Sequence, residues 1–244
     1  MSVVPSCSGV VVPVTVWMVV MRRLRGHAIT ALLASAALAC ASGRAPQLVD
    51  AGALTPTLQL DLRYATANNF VGAPIDGYEA PRCLLSEPAA RALGAVQAEL
   101  ARVDLGLVVW DCYRPQRAVD QFLRWTLAPA DPLLAARYFP RVAKHELVEK
   151  GYIAARSGHS RASSVDVGLV QLEGGALLDL GTPFDFFDPR SAVDARVPEP
   201  ARANRARLRE AMERHGFAAY PPEWWHFTLR HEPYPDSYFD LLVR

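Results

Sequence analysis

The first 39 residues contain no Asp or Glu, and their only formal charges are Arg22, Arg23 and Arg25. This step in composition decides which part of the chain a fold must be built from. Apolar runs lie on both sides of the arginines, Val10 to Met21 and Ala28 to Ala39. The second run ends in small residues, Ala36-Ala37-Leu38-Ala39-Cys40. A basic segment, a short apolar segment and a small-residue junction define a secretory signal, expected here over residues 1–39. The apolar segment is about a dozen residues, short of the roughly 20 that span a bilayer. Two starts fit: Met21, with 1–20 an upstream over-extension, or Met1 with a long basic region.

Cys40 directly follows Leu-Ala, which resembles a bacterial lipobox, with Ala37 standing where Leu is usual. The expectation is an exported, periplasmic protein, anchored to the outer membrane through lipid on Cys40. Plain cleavage and an uncleaved anchor are the alternatives. Without the leader's three arginines the chain's formal charge of +1 becomes −2. A slightly acidic domain argues against nucleic-acid binding, and confines membrane contact to the N-terminal anchor.

The remaining residues have the makings of one core. The chain is 51% hydrophobic and 21% charged, which excludes a disordered chain. Its four cysteines are too few for a disulfide scaffold. Residues 40–56 read as a tether, and 57–244 as one domain. Leu58, Leu60 and Leu62 alternate as one side of a half-buried strand. Ser86 caps a helix to about Arg102, with Leu93, Val96 and Leu100 inward. Leu105 to Trp110 is an apolar run of strand length. Pro115 opens another amphipathic helix through Ala118, Val119, Phe122 and Leu123. Residues 132–150 look helical, interrupted by Pro140. Val165 to Leu172 and Ala176 to Leu180 flank Glu173-Gly174-Gly175 as a hairpin. Arg202 to His215 is a charged helix stopped by Gly216, and an aromatic strand follows Pro221-Pro222. Without regular βαβ alternation, this order predicts an α+β fold, a mainly antiparallel central sheet with flanking helices.

Chemistry concentrates in three segments. His27 lies in the leader, His145 and His215 on charged helices, and His231 beyond the last strand, so His159 and His226 remain. His159 lies in a polar loop, and Asp166 follows within the apolar run Val165-Asp166-Val167. A charge so placed needs a metal or a polar partner, such as loop backbone or Arg161. In Glu223-Trp224-Trp225-His226 an acid and an imidazole sit among aromatics. They suit a metal ligand with a general base, or an interfacial Trp/His cluster. Residues three apart face opposite sides of an ideal strand, so a shared site requires Glu223 to sit at a bend. In Trp110-Asp111-Cys112-Tyr113-Arg114-Pro115, Arg114 can neutralise an anion in a cleft or pair with Asp111.

These segments together resemble the zinc D,D-peptidases of the Hedgehog/DD-peptidase fold, and more finely the VanX-type D-alanyl-D-alanine dipeptidases. The resemblance rests on Ser157-Gly158-His159-Ser160-Arg161, Glu223-Trp224-Trp225-His226 and the Asp111 to Pro115 turn. It extends to Arg63-Tyr64-Ala65-Thr66 with Asn69-Phe70, Gly77-Tyr78, Phe184-Asp185-Phe186 and the tail Glu232 to Phe239. It implies one zinc ion per chain held by His159, Asp166 and His226, with an open position for water. It implies Glu223 as the base that takes the water's proton and returns it to the leaving amine, and Arg114 as the oxyanion's partner. Tyr64 and Asp185 match positions that hold the substrate ammonium, and Ser157 and Tyr78 positions near its carboxylate.

The implied activity is hydrolysis of D-alanyl-D-alanine, or a related D,D-dipeptide, in cell-wall peptide turnover. A D,D-carboxypeptidase acting on peptidoglycan stem peptides and a degenerate zinc-stabilised wall-binding lipoprotein are the alternatives. Three departures from the family pattern stand out. Ala162 replaces a frequent Gly, which would strain the loop if a positive φ is needed. Gly168 and Val170 replace bulkier or more polar residues, and Cys112 fills a variable position. Cys83 and Cys112 bracket one helix and one strand, so an oxidising compartment favours a Cys83–Cys112 disulfide.

Overall fold

A computed structural model describes residues 46–244. The expected signal, the choice of start and Cys40 lie outside the described residues. The expected tether does not run to residue 56. Leu48–Asp50 forms β1, and the Asp50 carboxylate accepts from the amides of Gly52 and Ala53 to cap α1, Ala51–Leu54. Elements of three and four residues carry no readable periodicity, which is why this stretch reads as a linker.

Gln59–Leu60 forms a short β2. Leu58 and Leu62 are buried but Leu60 is exposed, so the predicted one-sided stripe is broken at its centre. The chain leaves the strand after Leu60 and turns into a 3-10 segment, Arg63–Ala65. Leu84–Ser86 forms β3, antiparallel to β1. Then come α2, Glu87–Ala101, and β4, Leu105–Asp111, all of whose residues are buried. Ser86 stands at the α2 N-cap position, but its hydroxyl bonds Ser163 Oγ at 3.0 Å and caps nothing. Next come α3, Gln116–Leu127, and α4, Pro132–Tyr138, which ends just before Pro140.

β5 is Ser164–Gln171. The second hairpin arm is reduced to a bridge from Val170 to Leu177, and Leu177 is exposed. α5 is Ala201–Arg214, and Gly216 follows it with φ +89°, a conformation that glycine adopts without strain. Phe217–Tyr220 forms β6, a strand the residue pattern does not announce, and Glu223–Leu229 forms β7.

The main sheet runs β2-β4-β5-β7-β6, antiparallel except for β2 against β4. The α+β architecture is as expected. Its register does the chemical placement: Asp111 pairs with Asp166, and Asp166 with His226, a polar row across three central strands.

Gly168 and Ala162 now have physical readings. A Cβ on Gly168 would lie 2.5 Å from Trp110 Cη2, so the missing side chain makes room for the indole. That indole stacks on Phe184 at 4.9 Å, next to Asp185. Gly168→Val should cost about 1–3 kcal/mol by overpacking, read as a lower urea midpoint with unchanged slope. An unchanged midpoint would contradict this packing. Ala162 has φ +61°, so the loop holds an alanine where glycine is easier. Its side chain is fully buried, and that burial offsets the strain.

Candidate metal centre and its cleft

Three side chains converge at the sheet's polar row. His159 Nε2, Asp166 Oδ1 and His226 Nδ1 lie 3.0 to 3.3 Å from one another. Donors about 2.0–2.1 Å from a tetrahedral zinc ion stand about 3.3 Å apart, so the triangle fits that ion. Asp166 Oδ1 is buried without a hydrogen-bond partner, an orphan that a cation would satisfy.

The outer partners fix which imidazole nitrogens face inward. His159 Nδ1–H donates to the Cys112 carbonyl at 2.6 Å, leaving Nε2 free to ligate. His226 Nε2 lies 3.4 Å from Thr228 Oγ1, leaving Nδ1 free. Burial lowers the His226 pKa and so favours the neutral, ligating imidazole. Burial opposes ionisation of Asp166, but both imidazoles outweigh it and hold the carboxyl below its usual range. The alternative pairing of Asp166 with Arg161 does not occur. Arg161 instead grips Glu232 at 2.7 and 2.8 Å, while Phe239 N donates to Ser160 O. The tail motif therefore clamps the loop that carries His159.

Glu223 reaches the same site because the β6–β7 register shifts at Ala219/Tyr220, as the Pro221-Pro222 bend required. Its Oε2 stands 4.0 Å from His226 Nδ1. Burial raises its pKa well above the ordinary carboxylate value, and the charges of Asp166 and Asp185 push the same way. Its raised proton affinity suits a carboxylate that must take up a proton and later release it.

Arg114 makes the pairing with Asp111 considered for it and still borders the cleft. Its guanidinium bonds Asp111 Oδ2 at 2.9 Å, and it also lines the cleft, 3.6 Å from Asp166 Oδ2. Tyr64 and Asp185 line the cleft too, joined by bonds of 3.1 Å from the Tyr64 hydroxyl to both carboxylate oxygens. Asp185 has φ +59°, a conformation that Asp tolerates better than most residues and that sets where its carboxylate points. Burial, then the charge of Asp166, raises the Asp185 pKa, so an arriving cation would relieve it.

Ser157 borders the cleft, and its hydroxyl accepts from His159 N at 3.3 Å. Tyr78 does not line the cleft. Its hydroxyl donates to Asp111 Oδ1 at 2.7 Å, so it braces the partner of Arg114 rather than meeting a substrate carboxylate. A Gly-Tyr pair in a loop carries no signal of which way the phenol points. Sequence reasoning also missed Arg156, an exposed cleft residue stacked 5.0 Å over the Tyr238 ring. It missed the second role of Asp111, now visible as the buried hub of Arg114 and Tyr78.

The expected disulfide forms. Cys83 and Cys112 are bonded with Cα atoms 5.2 Å apart, tying β3 to the turn that presents Arg114 and the His159 acceptor.

Three metal-type donors, an acid beside them and a half-buried arginine in one cleft of about 230 Å³ define a metallohydrolase-type centre. A family profile described as D-ala-D-ala dipeptidase, peptidase M15, matches residues 44–244. The D-alanyl-D-alanine dipeptidase of Streptomyces coelicolor is 47% identical over 191 residues, 78% of this chain and 95% of that protein. Proteins of the same name from Enterococcus faecalis and Escherichia coli are 46% and 36% identical, over 75% of this chain and 91% and 84% of theirs. The chain belongs to the M15 peptidase family, in its D-ala-D-ala dipeptidase branch, and is a hydrolase.

Proposed function

We propose that the protein is an exported zinc dipeptidase that splits D-alanyl-D-alanine, or a related D,D-dipeptide, into free D-amino acids during cell-wall peptide turnover. The observation that carries this reading is the placement of Asp185 and Tyr64 in the same cleft as Glu223 and the His159–Asp166–His226 triangle. A free amine can thus be held while the adjoining peptide bond is cut. Lipidation at Cys40 and the periplasmic location are part of the proposal and rest on the leader's composition.

His159, Asp166 and His226 would hold the zinc ion. Bound there, zinc supplies Lewis acidity at neutral pH, polarising the scissile carbonyl and acidifying water. Glu223 takes a proton from the attacking water as its oxygen adds to the carbonyl carbon. When the C–N bond breaks, Glu223 delivers that proton to the leaving amine. Arg114, fixed by Asp111, stabilises the negative charge that develops on the carbonyl oxygen. The Asp185 carboxylate, oriented by Tyr64, pairs with the substrate ammonium. Arg156 and Ser157 at the cleft's border supply the carboxylate's partners in place of Tyr78.

D-Ala-D-Ala should be cleaved far faster than its N-acetyl derivative, which leaves Asp185 buried without a counter-charge. Asp185→Asn should lower kcat/KM for the free dipeptide by about 2–3 kcal/mol, roughly 30- to 150-fold. The same variant should change the slow rate on the acetylated substrate little. Equal cleavage of both substrates by the unmodified protein would overturn recognition of the free amine and favour action on longer stem peptides.

Arg156→Ala should raise KM for D-Ala-D-Ala about tenfold with kcat nearly unchanged, as steady-state kinetics would show. A fall in kcat at constant KM would contradict a purely binding role.

A further inference from the structure

A second cavity, of about 220 Å³, lies between α5 and the β6–β7 hairpin and shares no lining residue with the cleft. Its floor is apolar, with Trp224 and Phe227 among its residues. Its wall carries Arg202, Arg205 and Arg209 against the single carboxylate of Asp194. The three arginines recur on one side of α5 at helical spacing, where like charges repel.

Two of them, Arg205 and Arg209, make no ion pair among the described residues. Arg202 pairs with Glu199 at 2.6 Å, and both side chains are exposed. Arg205 is buried, and its guanidinium bonds only neutral acceptors, the carbonyls of Leu180, Ala192 and Arg190 and the Thr182 hydroxyl. Arg209 is half-buried, and its Nε is sealed from solvent without a hydrogen-bond partner. A buried cation without a counter-ion is costly, and a planar guanidinium fork matches a carboxylate in two parallel bonds.

We propose that this cavity is a binding site for a small amphipathic carboxylate, its acid group on Arg209 and its apolar part over Trp224 and Phe227. The site is separate from the cleft, so it does not depend on the activity assigned there. A free fatty acid fragment and an aromatic acid share this chemistry, and the relative affinities of hexanoate and 3-phenylpropionate separate them.

The test is calorimetric titration of the full chain with 3-phenylpropionate, hexanoate and 3-phenylpropionamide. The two acids should bind with one site per chain and the amide should not. Arg209→Gln should weaken binding of the acids at least about tenfold. His226→Ala, which changes a cleft side chain and none that lines the cavity, should leave it unchanged. Ala206→Phe, which fills the cavity while keeping every arginine, should abolish it, with helix content by circular dichroism matching the parent protein. Absence of binding by both acids, equal binding of the amide, retention in both cavity variants, or loss in His226→Ala would each overturn the proposal.

Discussion

Replacing Glu223 with Gln should lower kcat on D-Ala-D-Ala by about 10²–10⁴, the range for loss of a general acid–base. Gln keeps the shape and can still donate or accept a hydrogen bond, but it cannot take a proton from water and return it to an amine. The substitution should not weaken the fold. In the native site the carboxyl is buried beside two other acids, and burial, Asp166 and Asp185 all oppose its charge. Zinc content should stay near one per chain, because Glu223 is not one of the three converging donors. The check is kcat at saturating dipeptide, with metal content and urea midpoint measured on the same sample. A kcat within about threefold of the parent protein would remove Glu223 from the proton pathway. Loss of metal together with activity would make it a ligand instead.

Breaking the Cys83–Cys112 bond should have the largest effect on stability. The bond closes a loop with a sequence separation of 29. Loop-closure entropy for that length gives about 3.6 kcal/mol. Cys83→Ser leaves Cys112 in place, so the loss should appear as a lower urea midpoint in the variant. The parent protein should show a similar fall in reductant. The effect should reach the metal centre, because the Cys112 carbonyl is the acceptor that orients His159. Loosening such an outer partner typically weakens metal affinity about 10- to 100-fold. Since the carbonyl itself remains in Cys83→Ser, the lower end of that range is expected. The same urea midpoint with and without reductant would contradict a bracing role.

Much of the site is legible in the residue order alone, because the energetic cost of its polar groups shows there. Asp166 interrupts an apolar run, and a charge there demands a partner. Glu223 and His226 stand in an aromatic strand just after two prolines, so a shared site needs a bend, and the bend is present as a register shift. What stays hidden depends on pairing at long range. β1 is three residues long and exists because Leu48–Asp50 meets Leu84–Ser86. β6 is Phe217–Tyr220, half of it alanine, and forms because β7 offers it an edge. Leu60 fits the alternating pattern, yet it lies outside because β2 stops after two residues. Tyr78 resembles a substrate contact by motif, but its direction is set by Asp111 on another strand. Arg156 has no motif at all, since an exposed arginine in a loop looks the same whether or not a cleft lies beside it.

Whether His159, Asp166 and His226 hold one catalytic zinc ion is best decided by stoichiometric reconstitution. Chelator-stripped protein is titrated with zinc while alanine release from D-Ala-D-Ala is followed. Activity should be negligible without metal, rise linearly, and reach a plateau at one zinc per chain. Full activity in the stripped protein, or none at one equivalent of bound zinc in a folded sample, would rule this centre out.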